Sequence, residues 1–288
     1  MDFICTGDDL ERIPEEVIRK TGITLPGAHC DKNKIASLAS ELRKYRGDVI
    51  VRIPFCVTVE AEAYGAHIKL GDALNGPRVE SYLFESIEEM SNLRGLELNE
   101  GRIKEVLDAV GILAEAGEKV ALSVEGPFTI LSSLINPLDF YRGLRKDPQR
   151  VLEILSIIEE GILLYSLEGI KRGASIISYG DPVGAIGILG PKVYRAFSGP
   201  SSWRVIKGIQ EAGGKVLLHL CGKTSTALEK IELARSYPIE IDGAMTYGLG
   251  LLGQLDKTTG PLVIGHQCIK SSINKMENPI LWGIQLVG

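Results

Sequence analysis

The stretch GGKVLLHLCGKTS, residues 213–225, reads as a buried strand that ends on chemistry. Val216, Leu217 and Leu218 are an apolar run of strand length, bracketed by Gly213 and Gly214 on one side and Gly222 on the other. A strand serving only the core would continue in apolar residues, but this one finishes on His219, Cys221 and Gly222. Side chains at i and i+2 of a strand share a face, so an imidazole and a thiol can approach one centre.

Runs of the same kind recur along the chain: 2–7 (DFICTG), 48–55 (DVIVRIPF), 119–127 (KVALSVEGP), 174–182 (ASIISYGDP), 215–222 (KVLLHLCG), 241–248 (IDGAMTYG), 261–268 (PLVIGHQC) and 280–288 (ILWGIQLVG). Segments with helical spacing separate them, among them the one that opens on Asp147 and Pro148 as cap and first-turn residue and closes on Gly173. Eight alternating βα units predict an α/β fold, a (β/α)8 TIM barrel, and the lack of a linker or low-complexity tract predicts one domain over 1–288. The connection from Glu60 to Glu100 is long for one βα unit and is expected to pass over the barrel mouth.

Composition narrows the function. The 288 residues are 44% hydrophobic and 24% charged, with a net charge of -5, an ordinary globular balance without a basic stripe for nucleic acid. No window approaches the roughly 18 uninterrupted apolar residues of a membrane span, and the first residues do not read as a secretory signal. A cytoplasmic protein without nucleic acid or membrane partners is expected. Its five cysteines (5, 30, 56, 221 and 268) are an odd number spread over a long chain, which suits reduced thiols better than a disulfide framework.

In such barrels the active site lies where the strands end, at their C-terminal face. The polar residues gathered there are candidates. His219 and Cys221 form one pair and His266 and Cys268 a second, and imidazole nitrogen with thiolate sulfur is a donor set that zinc favours. The competing reading of each pair is a core histidine beside a buried thiol. Cys30 and Cys56 read as core or near-surface thiols. Asp181 and Tyr179, at the end of the 174–182 run, are candidates to bind or orient a substrate, Asp181 alternatively being a turn residue that caps a helix. Glu60 and Glu62 are candidates for the same site or members of a solvated face.

LPGAHCDKNKIASLASEL (25–42), VIVRIPFCVTVEAEAYGAHIKLG (49–71), PRVESYLFESIEEM (77–90), VEGPFTILSSLI (124–135), IISYGDPVG (176–184) and VLLHLCG (216–222) resemble the uroporphyrinogen decarboxylase superfamily, and within it the methylcobamide:coenzyme M methyltransferase branch. The resemblance runs over nearly the whole chain. It implies a (β/α)8 barrel whose zinc is held by a His-x-Cys pair and a distant Cys. It further implies a thiol acceptor such as coenzyme M, and methylcobalamin or another methylated corrinoid, carried by a partner protein, as donor.

Carried over by position, His219 and Cys221 match the family pair. The family's distant Cys lies near the last strand, whereas ILWGIQLVG has none, so Cys268 is taken as third metal ligand on its chemistry and strand-end placement. Asp242, His266 or water is left to fill the fourth position. The helices that precede the first strand in the family have no counterpart here, which favours a homo-oligomer. Alternatives are another methyl acceptor (homocysteine or tetrahydrofolate), a uroporphyrinogen decarboxylase, or a structural zinc closed by four protein ligands.

Overall fold

The computed structural model describes residues 13–72, 75–243 and 245–288. The strand expected at 2–7, with Cys5, lies outside the described residues. The chain builds strands β1 (Val51–Ile53), β2 (His67–Lys69), β3 (Arg78–Ser81), β4 (Val120–Glu125), β5 (Ile176–Gly180), β6 (Leu217–Cys221), β7 (Ala234–Glu240), β8 (Leu262–Gln267) and β9 (Ile280–Leu286). Its α-helices are α1 (Glu15–Thr21), α2 (Lys32–Arg46), α3 (Val59–Ala63), α4 (Gly101–Glu115), α5 (Pro127–Leu134), α6 (Pro137–Lys146), α7 (Pro148–Lys171), α8 (Ile186–Val193), α9 (Gly199–Glu211), α10 (Gly222–Lys230) and α11 (Tyr247–Lys257). As the sequence predicts, Asp147 caps α7, its carboxylate accepting from the Arg150 N–H at 3.1 Å, with Pro148 in the first turn.

Among the described residues seven strands form one sheet in the order β1-β4-β5-β6-β8-β9-β7. The first five run parallel. Strand alternation gives the sheet two apolar faces. On the inner one, Ala121, Ile176, Leu217 and Ile264 pack with Tyr247 and Leu251. On the outer one, Leu122, Ile177, Leu218 and Val263 pack against the helices in a much larger core. This is the wall of the expected α/β barrel, with helices outside and a small filled interior.

The last quarter departs from the expected alternation. The described residues of 241–248 do not form the expected strand: Gly243 turns the chain at φ 81°, and Thr246 caps α11, which begins at Tyr247. The strand lies just before it, as β7, which runs antiparallel to β9 along its length, while β9 runs antiparallel to β8. Arg235, Ser236, Pro238 and Glu240 hide β7 from a search for apolar runs. Such residues belong on a sheet edge, where one side of the strand faces water.

The long connection after β1 holds α3, an antiparallel hairpin of β2 and β3, and a 3-10 turn at Glu89–Asn92. It is anchored to the outer core through Tyr64, Ile87, Met90 and Leu96. Its first helix, α3, brings Glu60 to the C-terminal end of β4.

Candidate active site at the strand ends

His219 is the middle inward residue of β6, fully buried, its ring meeting that of Tyr247 edge-on at 6.0 Å. Among the described residues neither ring nitrogen has a hydrogen-bond partner. A buried imidazole left without partners is costly, and burial holds its pKa down at about 4, so the ring is neutral with a lone pair to give. Cys221 ends the same strand two residues on and occupies the N-cap position of α10.

The second pair behaves differently. Ile264 pairs with His219, but Gln267 rather than His266 stands opposite Cys221, because the register shifts between the two. The extra residue is absorbed at His266, which takes φ 62°. Such a bulge ends the simple alternation of faces. A Cβ at Gly265 would lie 2.6 Å from Ser225 Cβ on α10, so Gly265 faces the helices. His266 turns the same way: its Nδ1 is 3.2 Å from Thr226 Oγ1, its Nε2 is 3.2 Å from Glu229 Oε2, and its ring meets Trp282 edge-on. The expectation that His266 and Cys268 share the inner face is therefore corrected. His266 belongs to the outer layer, and Asp242, the other protein candidate for the fourth position, is exposed on the turn after β7.

Cys268 follows β8 and acts electrostatically on the hydroxyl of Tyr247, the residue whose ring meets His219. Among the described residues no three His, Cys, Asp or Glu side chains are arranged to hold a metal ion. The donor chemistry of His219 and Cys221 suits zinc and leaves the imidazole otherwise unexplained. Cys268 is linked to that pair only through Tyr247, which it acts on and whose ring meets His219.

Asp181 follows β5 and is buried. Its carboxylate accepts from the Phe128 N–H at 3.1 Å, the Thr129 N–H at 2.9 Å, the Thr129 hydroxyl at 2.7 Å and the Gly184 N–H at 3.1 Å. Two of these are first-turn amides of α5, so Asp181 caps that helix from a neighbouring strand. The N-cap residue itself is Gly126, where a Cβ would lie 2.4 Å from Asp181 Cβ. Burial pushes the Asp181 carboxyl up, against the hydrogen bonds that favour its ionised form. Tyr179 lies on the outer face, its hydroxyl donating to Ser202 Oγ of α9 at 2.9 Å. The structure thus corrects the placement of Tyr179 beside a substrate: the neighbouring Gly180 faces Cys221, and alternation turns Tyr179 to the helices.

Glu60 is buried, and its Oε1 accepts the Glu125 N–H at 2.9 Å. Glu62 pairs with Arg102, whose guanidinium also donates to Thr58 Oγ1 at 2.9 Å and Cys56 Sγ at 3.5 Å. Sequence reasoning missed Glu125 and Arg102. The strand-end rule that singles out Asp181 applies equally to Glu125, in VEGPFT; Arg102, inside an ordinary helix, carries no local signal.

The sequence model of the uroporphyrinogen decarboxylase (URO-D) family matches residues 10–266. The methylcobamide:CoM methyltransferase MtbA of Methanosarcina acetivorans is 30% identical over 230 residues, 79% of this chain and 68% of that protein. The methylcobamide:CoM methyltransferase MtaA of Methanosarcina barkeri is 25% identical over 268 residues, 91% of this chain and 78% of that protein. Among solved structures, a methyltransferase from Methanosarcina mazei superimposes with a TM-score of 0.67 at 24% identity, covering 79% of this chain and 70% of that one, which supports the fold. The chain belongs to the uroporphyrinogen decarboxylase family, in its methyltransferase branch.

Proposed function

We propose that the protein transfers a methyl group from a methylated corrinoid, carried by a partner protein over the barrel mouth, to a thiol such as coenzyme M. Zinc would be held by His219 and Cys221 with Cys268 as third donor, in a cytoplasmic setting that would keep these thiols reduced. The observation that carries this reading is the buried His219, neutral and with both ring nitrogens unpartnered, two residues before Cys221 at the end of an inner strand. The naming of the relatives as methylcobamide:CoM methyltransferases supports the donor and acceptor.

When bound, zinc would supply the Lewis acidity that makes a thiol give up its proton near neutral pH. The chain's own residues do the rest. His219 brings a neutral donor and Cys221 an anionic one, and a sulfur-rich donor set leaves an acceptor sulfur electron-rich. The apolar inner core beneath His219 keeps water from the buried side of the site. Asp181 fixes the start of α5 and the turn after β5, and so the outline of the mouth.

The test is metal analysis of the purified protein, followed by thiol methylation with free methylcobalamin. About one zinc per chain, lost with His219→Ala, together with zinc-dependent methylation of coenzyme M, is the expected result. Zinc retained at full stoichiometry in Cys221→Ala, or no thiol methylated by the zinc-loaded protein, would overturn the reading.

A further inference from the structure

The barrel mouth holds a second piece of chemistry beside the two donors. Glu60 is 1% exposed and Glu125 8%. Glu60 Oε1 is fixed by the Glu125 N–H, while Glu60 Oε2 is buried with no hydrogen-bond partner among the described residues. Glu125 is the last residue of β4, and alternation from Ala121 places it on the inner face.

Glu125 pairs in register with Gly180, and a Cβ built on Gly180 would lie 3.3 Å from Cys221 Cβ. Three neighbouring strands thus present a carboxyl, a glycine and a thiol in one layer. Adjacent strands are about 4.8 Å apart, so the outer two are separated by roughly 10 Å, and the strand between them carries no side chain at this level. Glu125 and Cys221 thus flank the bare backbone of Gly180 from its two sides.

We propose that Glu60 and Glu125 are the proton acceptor for the thiol substrate, whose sulfur enters the gap over Gly180 between Glu125 and Cys221; this rests on the methyl-transfer reading above. In the step, the S–H bond breaks and an O–H bond forms on the ionised carboxylate of the pair. The electron pair stays on sulfur, and one negative charge moves from carboxylate to sulfur. The pair passes from one bound proton to two.

The surroundings suit this. Burial lifts Glu60 to about 7 and, with Glu60 and Asp181 as acidic neighbours, lifts Glu125 well above its ordinary value, so both carboxyls take up a proton more readily than exposed ones do. Arg102 on α4 opposes the rise at Glu60, and Lys270, in the turn after β8, opposes it at Glu125. Tyr64, the C-cap of α3, and Tyr165 on α7 also face Glu60, and burial holds both hydroxyls protonated. Asp181 faces Glu125 with its oxygens committed to α5 and its own turn.

Two measurements test the proposal. Infrared titration of the protein as purified should show a protonated-carboxyl band at neutral pH that shrinks in Glu60→Gln, a substitution that keeps the acceptor for the Glu125 N–H. Calorimetry of coenzyme M binding to zinc-loaded protein, in buffers of different ionisation enthalpy at pH 7, should release well under one proton per thiol in wild type and about one in Glu60→Gln. Methyl transfer in that variant should fall by about 10²-fold, within the usual range for loss of a general base. Glu125→Gln serves in its place should Glu60→Gln not fold. Equal proton counts in wild type and variant, with thiol methylation intact, would overturn the pair and spare the methyl-transfer reading. Failure of the wild-type protein to bind or methylate any thiol would overturn both.

Discussion

His-x-Cys occurs twice, at the ends of two neighbouring strands, and the two copies have opposite fates. On β6 the strand stays regular, His219 and Cys221 keep one face, and the imidazole is left with nothing to bond. On β8 one extra residue at His266 reverses the pattern and sends that imidazole outward to Thr226, Glu229 and Trp282. Identical spacing therefore has no fixed meaning. Parity is a property of the ladder, and a single bulge changes which groups can meet.

The largest effects should separate the two copies. His219→Ala and Cys221→Ala are expected to lose most bound zinc and at least 10²-fold of methyl transfer, whereas His266→Gln should keep both, read by metal analysis and turnover. Cys268→Ser sharpens the contrast: reduced zinc affinity would join Cys268 to the inner pair, and unchanged affinity would leave it with His266.

A stability effect should come next. Asp181→Ala leaves α5 without its cap and buried amides without partners, at a cost of about 3 kcal/mol, with zinc retained in the variant. Denaturant unfolding beside metal analysis measures this. Zinc lost in step with helix α5 would show that the mouth and the donors are one unit.

Smaller, and dependent on pH, is the effect of Glu60. Its folded value of about 7 lies above the ordinary 4.5, so the folded state binds more protons between these limits. Its stability contribution is complete below about pH 4.5 and is lost as pH rises through about 7. Glu60→Gln should thus gain stability relative to wild type from pH 5 to pH 8, on the order of 2 kcal/mol. A pH-independent difference between the two proteins would contradict this. Smallest should be His266→Gln itself, at about 1 kcal/mol for its contacts with Thr226 and Glu229.

The sequence by itself determined the alternation of strands and helices, the cap at Asp147, and the placement of His219 and Cys221 on one face. Each follows from local periodicity or from residues a few positions apart, which the chain carries wherever it goes. The tertiary structure decided the rest. The edge strand β7 is defined by pairing with β9 rather than by apolar residues of its own. Asp181 became a cap for α5, more than fifty residues upstream, because the sheet sets β5 beside β4 and Gly126 leaves room for it. Tyr179 turned outward because its neighbour Gly180 faces Cys221. The Glu60–Glu125 contact spans sixty-five residues and exists only because α3 is folded back over the end of β4. Burial then gives these carboxyls their proton affinity, and burial depends on everything packed around a group, not on the residues beside it in the chain.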